Sequence, residues 1–121
     1  MRLSIIVPVY GVEKYIVHCA RSLFSQNDSD LEFIFVNDAT KDRSIEILKE
    51  LITNEYPQIE KQVTIIEKHI NEGLPQARKT GIEIATGDYI MHCDSDDWIA
   101  ENAIKEITRK IEETSADIIY Y

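Results

Sequence analysis

Short apolar runs alternate with helical patterns along this chain, and no other feature constrains the fold as tightly. "LSIIVPV" (Leu3–Val9) and "LEFIFV" (Leu31–Val36) are near-continuous apolar runs, rich in β-branched or aromatic residues. Strands covered on both faces of a parallel sheet look like this. "VTIIE" (Val63–Glu67) and "DYIMHC" (Asp88–Cys93) are two further strand candidates, and the closing "ADIIYY" reads as the start of a fifth. Between them Ile16, Cys19, Ala20, Leu23 and Phe24 share one face at helical spacing. So do Ile45, Leu48 and Ile52, and later Ile104, Ile107 and Ile111. Pro75 suits the first turn of a short helix that Gly87 would end. The resulting order, β-α-β-α-β-α-β-α-β, predicts one α/β domain: a Rossmann-like, mostly parallel sheet with right-handed crossovers and helices on both faces.

Composition narrows the function. The chain has 121 residues, enough for one domain with a single core. Thirteen Lys and Arg against 22 Asp and Glu give a net charge of −9, which argues against nonspecific nucleic-acid binding. Any phosphate-bearing ligand must then be met locally by a cation, a basic side chain or backbone donors. No run approaches the ~18 apolar residues needed to cross a bilayer, so no transmembrane segment is expected. "MRLSIIVPVY" has one basic residue and no small-residue cleavage site, which makes it a poor signal peptide. Cys19 and Cys93 lie far apart with no CxxC pattern. They read as reduced core residues in a reducing compartment rather than as a disulfide.

Ligands of open α/β sheets sit outside the carboxyl ends of the strands, so the strand exits are where chemistry is sought. After the first strand comes Pro8-Val9-Tyr10-Gly11, and after the second "VNDATKD", with Asp38 at the strand end. After the third comes "HINEGLPQAR" and after the fourth "CDSDDW". Several of these residues have plain structural readings. Asp42 suits a cap or first-turn acid for the helix starting at Ser44. Asp97 either caps the next helix or serves as a ligand. Asp38, beside Asn37, suits a turn, and Tyr10 suits core filler at a strand end. His69, His92 and Cys93 match no common zinc spacing, and strand alternation turns His92 and Cys93 to opposite faces.

Asp94 and Asp96 fit a structural reading less well. One residue apart on an extended or tightly turned backbone, their side chains reach a common small volume. Mg²⁺ commonly takes one or two carboxylates plus substrate phosphates. A carboxylate ~4 Å from a phosphate oxygen repels it by about 4 kcal/mol at an effective dielectric near 20. Acid pairs therefore cannot hold a diphosphate unaided, and a bridging divalent ion reverses the sign.

The segments "SIIVPVYGVEKYIVHCARSLFSQ", "FIFVNDATKDRS" and "NEGLPQARKTGIEIATGDYIMHCDSDD" together resemble, in order and spacing, the N-terminal nucleotide-sugar-binding half of inverting family 2 glycosyltransferases. The resemblance implies a GT-A type fold, truncated, with residues 1–121 forming the donor-binding part and the acceptor-binding part absent. It implies that Pro8 and Tyr10 line the base pocket, the Tyr10 ring packing on uracil, and that Asp38 accepts a hydrogen bond from the base. Asp94-Ser95-Asp96 looks like the family's DxD, with Asp94 at the ribose or the metal shell and Asp96 binding Mn²⁺ or Mg²⁺ at the diphosphate. Arg78 resembles the family arginine near the nucleotide and the first DxD acid.

The implied reaction is metal-dependent transfer of a hexosyl or other sugar, with inversion, from a nucleotide diphosphate-sugar to the hydroxyl of a saccharide or lipid-linked acceptor. UDP is the carrier the resemblance favours, and polysaccharide biosynthesis in the cytoplasm, or peripherally at the cytoplasmic membrane face, is the setting. The general base would lie beyond residue 121, so this chain alone would bind donor weakly and transfer little. The sequence departs from the family where Gly11 and Lys79 replace asparagines and Ala39 replaces a glycine. A nucleotide-diphosphate-binding module that never catalyses is the alternative. A receiver-type phosphoacceptor domain is a weaker rival, since it wants acids after the first strand, where this chain has Pro8-Val9-Tyr10.

Overall fold

A computed structural model describes residues 2–114. Four strands, β1 (Leu3–Val9), β2 (Leu31–Asn37), β3 (Val63–Glu67) and β4 (Tyr89–His92), form one sheet in the order β3-β2-β1-β4. Every pairing is parallel, with Leu3 beside both Leu31 and Tyr89, and Phe33 beside Val63. The helices are α1 (Ile16–Phe24), α2 (Ser44–Glu55), α3 (Leu74–Ile84) and α4 (Ala103–Thr114). A short 3₁₀ segment, Pro57–Gln62, precedes β3 and was not expected from the sequence. The anticipated fifth strand, "ADIIYY", falls outside the described residues. Among the described residues no helix is long and apolar enough to cross a membrane.

The apolar runs form strands because the sheet is covered on both sides. All seven residues of β1 are buried, as are the first six of β2. On one face Ile5, Val7, Phe33 and Phe35 meet the buried residues of α1, α2 and α4 in the main core. Burying each such side chain stabilises the fold by about 1.5–3 kcal/mol. The other face is thinner: Ile6, Ile34 and Val36 pack on Ala77 of α3. Gly81 makes that approach possible, because a Cβ there would stand 2.5 Å from Ile6 Cγ2. The end of α3 is at Ile84, three residues earlier than the Gly87 stop expected from sequence.

The strand order opens the site. The chain runs outward from β1 to β2 to β3 and then crosses back to place β4 on the opposite side of β1. At such a switch point the flanking loops diverge and leave a crevice. Pro8 widens it. Cys93 N–H donates to Ile6 O at 3.0 Å, and Asp38 N–H donates to Val9 O at 3.0 Å. The alternation of strand hydrogen bonds therefore aims the Pro8 nitrogen at β4, and that nitrogen carries no hydrogen. The β1–β4 ladder stops there.

Candidate functional site

The crevice holds a cavity of about 430 Å³. Pro8, Tyr10, Asp38, Asp94, Ser95 and Asp96 all line it. Six of the seven residues singled out from the sequence thus share one volume, although they come from the ends of three different strands and the loops that follow them. Tyr10 is not core filler: it is 50% exposed.

Two networks shape the walls. The loop after β1 is stitched to the loop after β2 by Gly11 N–H donating to Thr40 Oγ1 at 2.8 Å, and to the start of α2 by Val12 N–H donating to Ser44 Oγ at 3.0 Å. Asp42 joins both: Oδ1 accepts from Ser44 N–H at 3.1 Å and Oδ2 from Glu13 N–H at 3.2 Å. Asp42 is neither the cap residue, which is Arg43, nor an acid of the first turn as expected; it stands one position ahead of the cap and meets the N–H of Ser44 from there. Burial alone would raise the Asp42 carboxyl, but hydrogen bonds from Ser44, Thr40 and Glu13 outweigh it and hold its pKa below the ordinary value. Within these loops Gly11 (φ 64°) and Ala39 (φ 58°) occupy the left-handed region. Glycine adopts it freely and asparagine tolerably, which accounts for the exchange at position 11; Ala39 is strained there.

The second network centres on Asp38, which is 4% exposed. Its Oδ1 accepts from Glu72 N–H at 3.0 Å and its Oδ2 from Gly73 N–H at 2.9 Å. The carboxylate is thus a clamp on the loop that leads into α3, a partner that no local turn reading of Asn37-Asp38 would reveal. A carboxylate has about four lone-pair sites, so acceptor capacity remains toward the cavity.

The acids after β4 form a tight turn, in which Asp97 N–H donates to Asp94 O at 3.0 Å. Asp97 does not cap the next helix. Its Oδ1 accepts from Trp98 N–H at 2.9 Å, and the chain runs on irregularly until α4 begins at Ala103. One N–H of the first turn of α4 is met instead by Gln26, whose Oε1 accepts from Ile104 N–H at 3.1 Å. Arg78 does not line the large cavity. It stands behind Asp94, with Nη2 donating to Oδ1 at 2.8 Å, and lines a smaller adjoining cavity of about 160 Å³ with His92, Cys93 and Trp98. Its buried Nε has no hydrogen-bond partner among the described residues. Burial, and after it the nearby guanidinium, lowers the His92 pKa, so this imidazole is neutral near pH 7.

A metal ion was expected here. Among the described residues no group of three or more His, Cys, Asp or Glu side chains could hold an ion. Asp94 already gives one oxygen to Arg78, and no partner engages the Asp96 carboxylate among the described residues. Two hard oxygens flanking a cavity make half a site. They fit Mg²⁺ or Mn²⁺ only if a ligand brings the rest, as phosphates commonly do.

Sequence reasoning missed two features nearby. Trp98 stacks on His18 of α1, with ring centroids 4.5 Å apart. Cys19 and Cys93 meet under the acidic turn, each Sγ 3.7 Å from the Asp94 carbonyl oxygen. The hydrogen bond to Cys93, reinforced by burial, pushes the Cys19 pKa up and keeps it a thiol. Only the adjacency of β1 and β4 brings them together.

Comparison with known proteins is consistent with this geometry. The profile of glycosyl transferase family 2 matches residues 4–121. A Streptococcus pneumoniae protein described as glycosyltransferase GlyA is 38% identical over 117 residues, covering 97% of this chain and 16% of the relative. The Bacillus subtilis uncharacterized glycosyltransferase EpsJ is 40% identical over 117 residues, covering 97% of this chain and 32% of its own length. Among solved structures, S. aureus TarS 1-349 in complex with UDP-GlcNAc superposes with a TM-score of 0.85 at 28% identity, over 97% of this chain and 33% of that one. The chain therefore spans a third or less of these relatives.

Proposed function

The chain belongs to glycosyl transferase family 2, and from that premise we propose that residues 1–121 are the donor-binding part of an enzyme that transfers a sugar, with inversion, from a nucleotide diphosphate-sugar to an acceptor hydroxyl. The observation that carries this reading is the convergence of Tyr10, Asp38, Asp94 and Asp96 on one cavity at the switch point of the sheet. UDP is the favoured carrier. The relative TarS is described in complex with UDP and with UDP-GlcNAc, and the cavity offers an aromatic wall and a carboxylate acceptor suited to a base that carries a ring N–H.

The residues divide the work. The half-exposed Tyr10 ring packs on the face of the base, and Pro8 holds the ladder open beside it. Asp38 fixes the loop before α3 and presents its remaining lone pairs to the base. Arg78 orients Asp94 and relieves part of the repulsion among Asp94, Asp96 and the incoming phosphates. Asp94 and Asp96 would hold Mn²⁺ or Mg²⁺, which when bound offsets the diphosphate charge as the leaving group departs. Deprotonation of the acceptor is assigned to no residue of this chain. Acceptors of the saccharide or lipid-linked class, and action in the cytoplasm or at its membrane face, complete the reading.

A thermal-shift screen of UDP-, GDP- and dTDP-sugars with and without Mn²⁺ tests it. A donor at ~100 times its Kd adds about 2.7 kcal/mol of stability, which reads as a clear rise in Tm. UDP-sugars with Mn²⁺ are expected to give the largest rise. No shift with any nucleotide diphosphate on a folded protein would overturn the proposal.

A further inference from the structure

Beneath the acidic turn the protein holds two cysteines that the reaction does not use. Cys19 lies on the buried face of α1 and Cys93 at the end of β4, 0% and 6% exposed. Both sulfurs share one carbonyl oxygen, that of Asp94, at 3.7 Å. Asp94 is also the residue whose side chain Arg78 holds and which borders both cavities. The pair is not sealed in: Cys93 lines the smaller cavity with Arg78, Asp97 and Trp98, so a small oxidant reaches it from the turn side.

We propose that Cys19 and Cys93 form a reversible redox pair whose closure to a disulfide displaces the Asp94–Asp97 turn and weakens ligand binding in the large cavity. The effect on binding rests on the donor-site reading above; the closure itself does not. With hydrogen peroxide as oxidant, the Cys93 sulfur attacks one peroxide oxygen, the O–O bond breaks and water leaves, giving a sulfenic acid. The Cys19 thiol then passes its proton to the departing hydroxyl as its sulfur attacks the Cys93 sulfur, forming the S–S bond and releasing a second water. The two sulfurs together lose two electrons and two protons, and the peroxide is reduced to two waters.

Geometry supplies the coupling. A disulfide holds its sulfurs about 2.05 Å apart, far inside any non-bonded contact. Closure therefore draws α1 and the end of β4 together and removes both S–H groups from the Asp94 carbonyl. Because Cys93 and Asp94 are neighbours in the chain, the displacement passes directly into the turn that presents Asp94 and Asp96. Trp98 follows in the same loop and is stacked on His18 of the same helix, one position before Cys19. In a reducing compartment such a disulfide would be transient, the behaviour of a sensor rather than of a staple.

The test treats the folded protein with hydrogen peroxide, quenches it, and measures intact mass, alkylation of both cysteines, UDP affinity with Mn²⁺ by calorimetry, and emission from Trp98, the single tryptophan. The expected product has lost two hydrogens, resists alkylation until dithiothreitol is added, binds UDP at least about fivefold more weakly and has shifted emission. Cys19→Ala and Cys19→Ser, each outside the binding cavity, should bind UDP as the parent does and lose every response to oxidant. Persistent alkylation of both cysteines after oxidant overturns the proposal. So does a disulfide that changes neither affinity nor emission. If the reduced protein binds no UDP, the donor-site reading fails separately. Mass and Trp98 emission then decide alone: closure with a shifted emission supports the redox pair, and closure without one refutes it.

Discussion

Replacing Asp38 by Asn isolates the clamp on which the cavity depends. The carboxylate is 4% exposed and accepts from Glu72 N–H at 3.0 Å through one oxygen and from Gly73 N–H at 2.9 Å through the other. Asparagine keeps a single carbonyl oxygen and turns an NH₂ group toward the second backbone donor. One charge-assisted bond is lost, the other becomes neutral, and one N–H faces another donor. Hydrogen bonds to charged groups are worth about 1.5–3 kcal/mol each, and leaving a buried donor unpaired costs a similar amount. The expected destabilisation is therefore about 2–3 kcal/mol. For a domain of this size that lowers Tm by roughly 8–15 °C. Calorimetry or circular-dichroism melting measures it, and hydrogen exchange at Glu72 and Gly73 shows whether the loss is local. A Tm lowered by less than about 2 °C would mean that the clamp contributes little and that the loop before α3 is held by other contacts.

Three further outcomes follow from the same structure. Ala39→Gly relieves a left-handed residue at φ 58°, a strain of roughly 1–2 kcal/mol, against the ~0.4–1 kcal/mol that glycine adds to unfolded-chain entropy. Urea denaturation should show unchanged or modestly greater stability, and a clear loss would contradict the strain. Glu32 is a nearly buried carboxylate at the opposite end of the sheet, accepting from Ser4 and from both donors of Thr86. Burial would raise its pKa, but these bonds and Arg2 win and hold it below the ordinary 4.5. Its contribution is complete above that value and is lost as pH falls through the lower folded-state pKa, so Glu32→Gln should flatten the acid side of the stability–pH curve. Arg78→Ala removes a half-exposed ion pair worth at most about 1 kcal/mol, so Tm should barely move. UDP affinity with Mn²⁺ should fall severalfold in the same variant, and equal affinities would remove Arg78 from the site.

The sequence made the buried sheet legible because β1 and β2 are apolar at almost every position and are covered on both faces. The faces of α1 and α2 were readable for the same reason: Ile16, Cys19, Leu23, Ile45 and Leu48 are all buried. Ends were harder. Backbone after α3 turns extended at Ala85, not at Gly87, and Gly87 is needed elsewhere, where a Cβ would stand 2.5 Å from Ser4 Oγ. The cavity-lining residues were found because loops at one edge of a parallel sheet converge whatever their separation in the chain. Their hydrogen-bond partners were not found, since the Asp38 clamp, the Gln26 contact with α4 and the Cys19–Cys93 pair join residues more than 30 positions apart. Such contacts depend on β4 lying beside β1 and on the loops folding back, which no local pattern encodes.

The central claim is that one cavity receives the base at Tyr10 and Asp38 and the diphosphate at Asp94 and Asp96. A crystal structure of the protein with UDP and Mn²⁺ measures this most directly. The account predicts uracil stacked on the Tyr10 ring, its ring N–H within hydrogen-bond reach of Asp38, and a metal ion bridging Asp96 to both phosphates. Nucleotide bound at another surface, or metal bound without contact to Asp94 or Asp96, would contradict it.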